Sequence, residues 1–108
     1  MISPYKTMWL IVAFDLPTLT IKDRRVSNNF RKDLLKMGFN KLQLSLYSYY
    51  ASSKERAEEI AKYVQGFVPE NGVVSIFFLT DRQFGMTKNF FGGLKVEIKA
   101  HEQGILLF

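Results

Sequence analysis

The 108-residue chain contains no cysteine, which excludes a disulfide framework, thiolate-bound zinc or iron–sulfur sites, and a thiol nucleophile. Its single histidine, His101, lies in a polar segment. A Ser-His or Cys-His nucleophilic pair therefore has no support, and His101 reads as a surface residue. Proline is scarce, while 47% of residues are apolar and 15% aromatic, so the signature of a disordered chain is absent. Long hydrophobic runs are missing too. The apolar stretch from Met8 to Phe14 stops at Asp15-Leu16-Pro17, far short of the roughly 20 residues a bilayer-crossing helix needs, and no small-residue cleavage site follows it. A cytoplasmic, membrane-free chain is expected. The length excludes a multidomain enzyme, because cores usually split only beyond roughly 250 residues.

What is present is localised positive charge. The formal net charge is +5, and the stretch Lys22 to Lys41 holds seven Lys/Arg against two acids, which equals the whole excess. A concentrated basic surface implies a polyanionic partner more than a diffuse one would.

Residues 1–7 carry Pro4 and no periodicity, and they read as a leader. From Met8 to Asp15 apolar residues occupy both alternating faces, which predicts a strand covered on both sides. Thr20-Ile21-Lys22-Asp23 has the form of a capping box and opens a helix. Val26, Phe30, Leu34 and Met37 form its inner face, Arg24, Arg25, Arg31, Lys32 and Lys36 occupy its exterior, and Gly38 caps its end. From Lys41 the period becomes two through Leu42, Leu44 and Leu46 to Tyr49-Tyr50, a half-polar strand expected nearer an edge. Ser52-Ser53-Lys54-Glu55 opens a second helix with Ala57, Ile60, Ala61, Val64 and Phe67 facing the core, ended by Pro69-Glu70-Asn71-Gly72. Val73 to Thr80 is again apolar on both faces and reads as a second covered strand. A short fourth strand is expected around Arg82 to Met86, and a terminal one at Ile105 to Phe108.

This order suits an α+β, ferredoxin-like βαββαβ domain over residues 8–86, with 87–108 as a C-terminal extension carrying an extra strand. Both helices then cover one sheet face. The other face, with Trp9, Ile11 and Ala13, would be left wet in a monomer. A two-fold dimer packing sheet against sheet needs only one self-complementary surface. A homodimer is therefore expected, with Trp9, Ile11, Ala13, Tyr47 and Phe77 at the interface and the terminal segment adding to the partner's sheet edge.

Asp15 ends the first strand on that same face, so a dimer brings two copies near the axis. Two carboxylates with water and a substrate phosphate suit the oxygen shell of magnesium. The alternative is a turn-forming side chain before Pro17. Asp81 has a similar strand-end position, but its Thr-Asp-Arg context fits a turn or ion pair. Arg24, Arg25, Arg31, Lys32, Lys36 and Lys41 either track phosphates without reading sequence or form the solvated face of an amphipathic helix. Tyr47, Tyr49 and Tyr50 could stack bases but read as interface aromatics.

The ordered set Ile11-Val12-Ala13-Phe14-Asp15-Leu16-Pro17, Arg24-Arg25, Phe30-Arg31-Lys32, Leu34-Leu35, Gly38-Phe39, Gln43-Leu44-Ser45-Leu46-Tyr47 and Leu79-Thr80-Asp81-Arg82-Gln83-Phe84 resembles the CRISPR-associated adaptation family called Cas-two, from Met8 to about Met86. The resemblance implies a homodimer that bridges dimers of the Cas-one integrase, holds duplex prespacer DNA on its basic surface during spacer acquisition, and acts as a magnesium-dependent (Mg2+) endonuclease. Asp15 matches the family's metal-ligand aspartate on strand one and is the implied catalytic position. The Thr-Asp-Arg-Gln-Phe and Phe-Gly-Met wording looks like versions from systems with a single large RNA-guided nuclease.

Other classes fit less well. Val73 to Thr80 lacks the basic-Gly-aromatic signature of an RNA-recognition motif, and Asp15 to Thr20 lacks the glycine of a small-molecule regulatory loop. A toxin-type ribonuclease of the same fold, acting on RNA, is the remaining alternative. Association with the integrase would separate the two.

Overall fold

Apolar residues fill every position of Met8–Asp15 except the last, and this segment forms β1, an inner strand, in a computed structural model that describes residues 7–92. After it come α1 (Ile21–Met37), β2 (Asn40–Gln43), β3 (Leu46–Ala51), α2 (Lys54–Gln65), β4 (Val73–Thr80) and the short α3 (Asp81–Gly85). The strands stand in the order β2-β3-β1-β4, each neighbouring pair antiparallel. This is the ferredoxin-like α+β arrangement, with the first and third strands inside the sheet.

Register decides which side chains meet the helices. Leu10 stands beside Tyr49 and Phe78, and Val12 beside Tyr47 and Ile76. Because side chains alternate along a strand, these residues share one face. Leu10, Val12, Phe14 and Tyr47 pack there with Phe30 and Leu34 from α1 and Ala57, Ile60 and Val64 from α2. A fully buried residue of this type contributes roughly 1.5–3 kcal/mol.

The ends of α1 are set locally. Thr20 Oγ1 accepts from the Asp23 amide at 2.9 Å, and the Asp23 carboxylate accepts from the Thr20 amide at 3.2 Å. At the other end Gly38 adopts φ 105°, and the Gly38 and Phe39 amides donate to Leu35 and Leu34 carbonyls. This left-handed closure favours glycine, and it places Phe39 against Leu34 in the core.

Four expectations are corrected. The stretch from Lys41 to Tyr50 is two strands joined by a turn at Leu44-Ser45, because Leu44, 64% exposed, continues the alternation through a bend. Its second half, β3, lies inside the sheet rather than near an edge, whereas β4, apolar on both faces, is at an edge, as β2 is at the other. Residues 82–86 form no strand. Instead Thr80 Oγ1 accepts from the Gln83 amide and Gln83 Oε1 from the Thr80 amide, a capping box that starts α3. Finally, α2 stops at Gln65 with Gly66 as its cap, although Phe67 still packs against the core. The expected leader, apart from Thr7, the terminal strand Ile105 to Phe108, and His101 lie outside the described residues.

Candidate functional site

The sheet face away from α1 and α2 carries the odd-numbered side chains of β1. Ile11 stands beside Ser48 and Phe77, and Ala13 beside Leu46 and Ser75. Phe77 is 53% exposed and Val73, at the Asp15 end, 63%. At the opposite end α3 folds over the sheet. Trp9 stacks on Phe84 with ring centroids 4.1 Å apart, and its indole N–H donates to Asp81 Oδ1 at 2.7 Å. Asp81 thus makes a hydrogen bond within the chain. Among the described residues this face is covered at the Trp9 end and open at the Asp15 end.

The five residues expected at a dimer interface therefore separate. Ile11, Ala13 and Phe77 share the face away from α1 and α2, while Trp9 is half-buried against its own chain's α3. Tyr47 is corrected outright, since it lies on the helix-covered face at 2% exposure within the core. Burial pushes the Tyr47 hydroxyl pKa up from the ordinary value, with the Arg31 charge opposing. Reading residues 41–50 as one strand hid this, because a turn at Leu44-Ser45 breaks the parity that assigns faces.

Asp15 ends β1 opposite Val73 and is exposed. Together with Ala13, Phe14, Ser45, Val73 and Ser75 it lines a shallow hollow. Gly72, with φ 98°, passes so close that a Cβ there would sit 2.6 Å from the Asp15 carbonyl oxygen. Only glycine allows that approach. Among the described residues the Asp15 carboxylate makes no hydrogen bond, so a turn-forming role has no contact to support it. A single chain offers one carboxylate here, and no group of three His, Cys, Asp or Glu that could hold a metal ion occurs among the described residues. Magnesium prefers six oxygen ligands, and the described residues of one copy bring a single carboxylate to this hollow.

The cations of α1 divide in a way the sequence did not reveal. Lys22, Arg25, Lys32 and Lys36, with Asn29 between them, step by three and four residues along one exposed stripe. Arg24 instead donates to the Thr18 and Leu19 carbonyls at 3.0 and 3.2 Å, securing the loop before the helix. Arg31 turns inward to Leu44, Ser45, Ser27 and Asn28. Among the described residues the salt bridge is Arg56–Glu59 on α2, so the stripe on α1 is left without carboxylate partners. Lys22 belongs to this stripe, and the three-four spacing is the signal that finds it. No helix among the described residues is long and apolar enough to cross a membrane.

Comparison with known proteins bears on this geometry. Residues 8–87 match the family model described as CRISPR associated protein Cas2. The chain is 39% identical over 107 residues to the CRISPR-associated endoribonuclease Cas2 of Flavobacterium psychrophilum, covering 99% of this chain and 93% of that protein. It is 46% identical over 85 residues to the protein of that name from Parvibaculum lavamentivorans, covering 79% and 84%. Against the one from Paracidovorax avenae identity is 35% over 92 residues, 85% of each chain.

Proposed function

The chain belongs to the Cas2 family of CRISPR-associated proteins, and from that premise we propose that it works as a homodimer in spacer acquisition. In this reading it bridges copies of the Cas-one integrase in the cytoplasm, holds duplex DNA along α1, and cleaves phosphodiester bonds with magnesium at the paired Asp15 carboxylates.

One observation carries the reading: among the described residues, a sheet face left open at one end, with Asp15 at that end and no partner for its carboxylate. Exposed apolar side chains such as Phe77 on an edge strand favour a cover, and a second copy would bring a second Asp15. Two carboxylates completed by water and phosphate oxygens suit magnesium, which would make a bound water more acidic and offset phosphate charge. The chain's own residues would do the rest. Lys22, Arg25, Lys32 and Lys36 would grip phosphates, and Gly72 and Ser45 would fix the end of β1.

A second reading is favoured by the names of the relatives, which are endoribonucleases: RNA as the substrate, in a ribonuclease without an integrase partner. Asp15→Asn, assayed for cleavage of RNA and duplex DNA with magnesium and for integration with the integrase present, tests both. The expected result is lost cleavage with nucleic-acid affinity and integration retained. Retained cleavage overturns the metal assignment, and lost integration in a folded, assembled variant overturns the scaffold role.

A further inference from the structure

We propose that Arg31 is a positioning residue that clamps the turn between β2 and β3 against the end of β1 and thereby sets where Asp15 stands, an inference that rests on the reading of Asp15 above. By sequence Arg31 is one more cation on a basic helix. By geometry its fork is already filled. Nε donates to the Leu44 carbonyl at 2.9 Å, Nη1 to Ser27 Oγ at 2.7 Å and to Asn28 Oδ1 at 3.2 Å, and Nη2 to Ser45 Oγ at 3.4 Å. The guanidinium also lies 5.2 Å from the centre of the Phe14 ring.

The turn so held reaches back to the first strand. The Ser45 carbonyl accepts the Phe14 amide at 3.1 Å, one residue before Asp15 and just past the last β1–β3 pair, Ala13 with Leu46. Arg31 thus connects the phosphate-facing helix, the hairpin turn and the strand end. A planar guanidinium can hold acceptors in several fixed directions at once, and a lysine ammonium cannot reproduce that fork. No acceptor on Arg31 is a carboxylate, so the turn is held by the directions of the fork rather than by an ion pair.

Arg31→Lys separates the two roles, because it keeps the charge and loses the fork. Arg31→Gln loses both, and Ser45→Ala removes one acceptor while leaving the helix intact should either Arg31 variant fail to fold. For a positioning residue, Arg31→Lys and Arg31→Gln both speed hydrogen exchange of the Phe14 amide by roughly tenfold or more, with Ser45→Ala showing a smaller rise. In both Arg31 variants kcat for cleavage falls by roughly 10- to 100-fold with KM unchanged, and the salt dependence of duplex binding stays that of the wild type. Lys32→Gln, by contrast, flattens that slope by about 0.9, the value of one lost phosphate contact. Full cleavage in Arg31→Lys, a flattened slope in Arg31→Gln, or wild-type exchange at Phe14 in all three variants overturns the proposal. If the wild-type protein cleaves nothing, the nuclease reading fails by itself, and Phe14 exchange still decides whether Arg31 holds the strand end.

Discussion

The two faces of the sheet are built from the same strands and similarly apolar residues, yet they end in different states. On one, Leu10 and Val12 are fully buried under α1 and α2; on the other, Phe77 is 53% and Tyr50 48% exposed. Strand composition does not make the difference, since β1 and β4 are apolar at both parities. What distinguishes the faces among the described residues is where the helices lie: the two long ones on one side, and on the other the five-residue α3, over Trp9. The helix-covered face holds the core of the chain together, and the other leaves apolar side chains exposed among the described residues.

Substitutions on the two faces should therefore fail differently. Leu34→Ala, under the covered face, should leave a cavity and cost about 3 kcal/mol in urea unfolding; a loss below about 1 kcal/mol would mean that α1 is not essential to that core. Gly72→Ala acts at the boundary between faces. Its φ of 98° and the 2.6 Å approach to the Asp15 carbonyl should cost roughly 1–3 kcal/mol and shift the amide resonances of Asp15 and Leu16. Unchanged spectra would show that the strand end absorbs the methyl group.

A smaller, pH-dependent loss should come from Tyr47. Burial raises its folded-state pKa, so its stabilising contribution is complete below the unfolded value of about 10 and is lost as pH rises through the folded value. Urea midpoints at pH 8 and 11 should converge in part for Tyr47→Phe compared with wild type. Equal pH dependence in the two proteins would contradict the burial. Least costly to the fold is Phe77→Glu on the open face, which should change single-chain stability by less than about 0.5 kcal/mol while turning the proposed dimer into a monomer in sedimentation. A variant that still sediments as a dimer would move the interface elsewhere.

Features coded within a few residues were legible in the sequence. The box at Thr20, the closure at Gly38 and the inner residues Phe30 and Leu34 need only local spacing, and the structure has them. The same local rule would have found α3, since Thr80-x-x-Gln83 repeats the pattern of Thr20-x-x-Asp23, but five residues give no helical period to notice. Facing was harder. Tyr47 reads as an interface aromatic, but parity does not carry through the turn at Leu44-Ser45 and its ring lies in the core. Arg31 was harder still. Its function depends on a carbonyl 13 residues away, and nothing in helix spacing distinguishes it from Lys32. Asp15 stood out by its place at a strand end, while the Gly72 approach that fixes it comes from the far side of the sequence.

The chain has one tryptophan, and α3 has fixed its surroundings: a phenylalanine ring stacked on its face and a carboxylate on its N–H. All indole emission from the molecule therefore originates at the junction between α3 and the sheet. A ligand gripped by α1, on the opposite side of the sheet, leaves that fluorophore's neighbours in place, whereas lifting α3 exchanges them for water and removes the hydrogen bond. Emission wavelength and quenching by iodide thus form an internal gauge of one face alone, with no label to introduce.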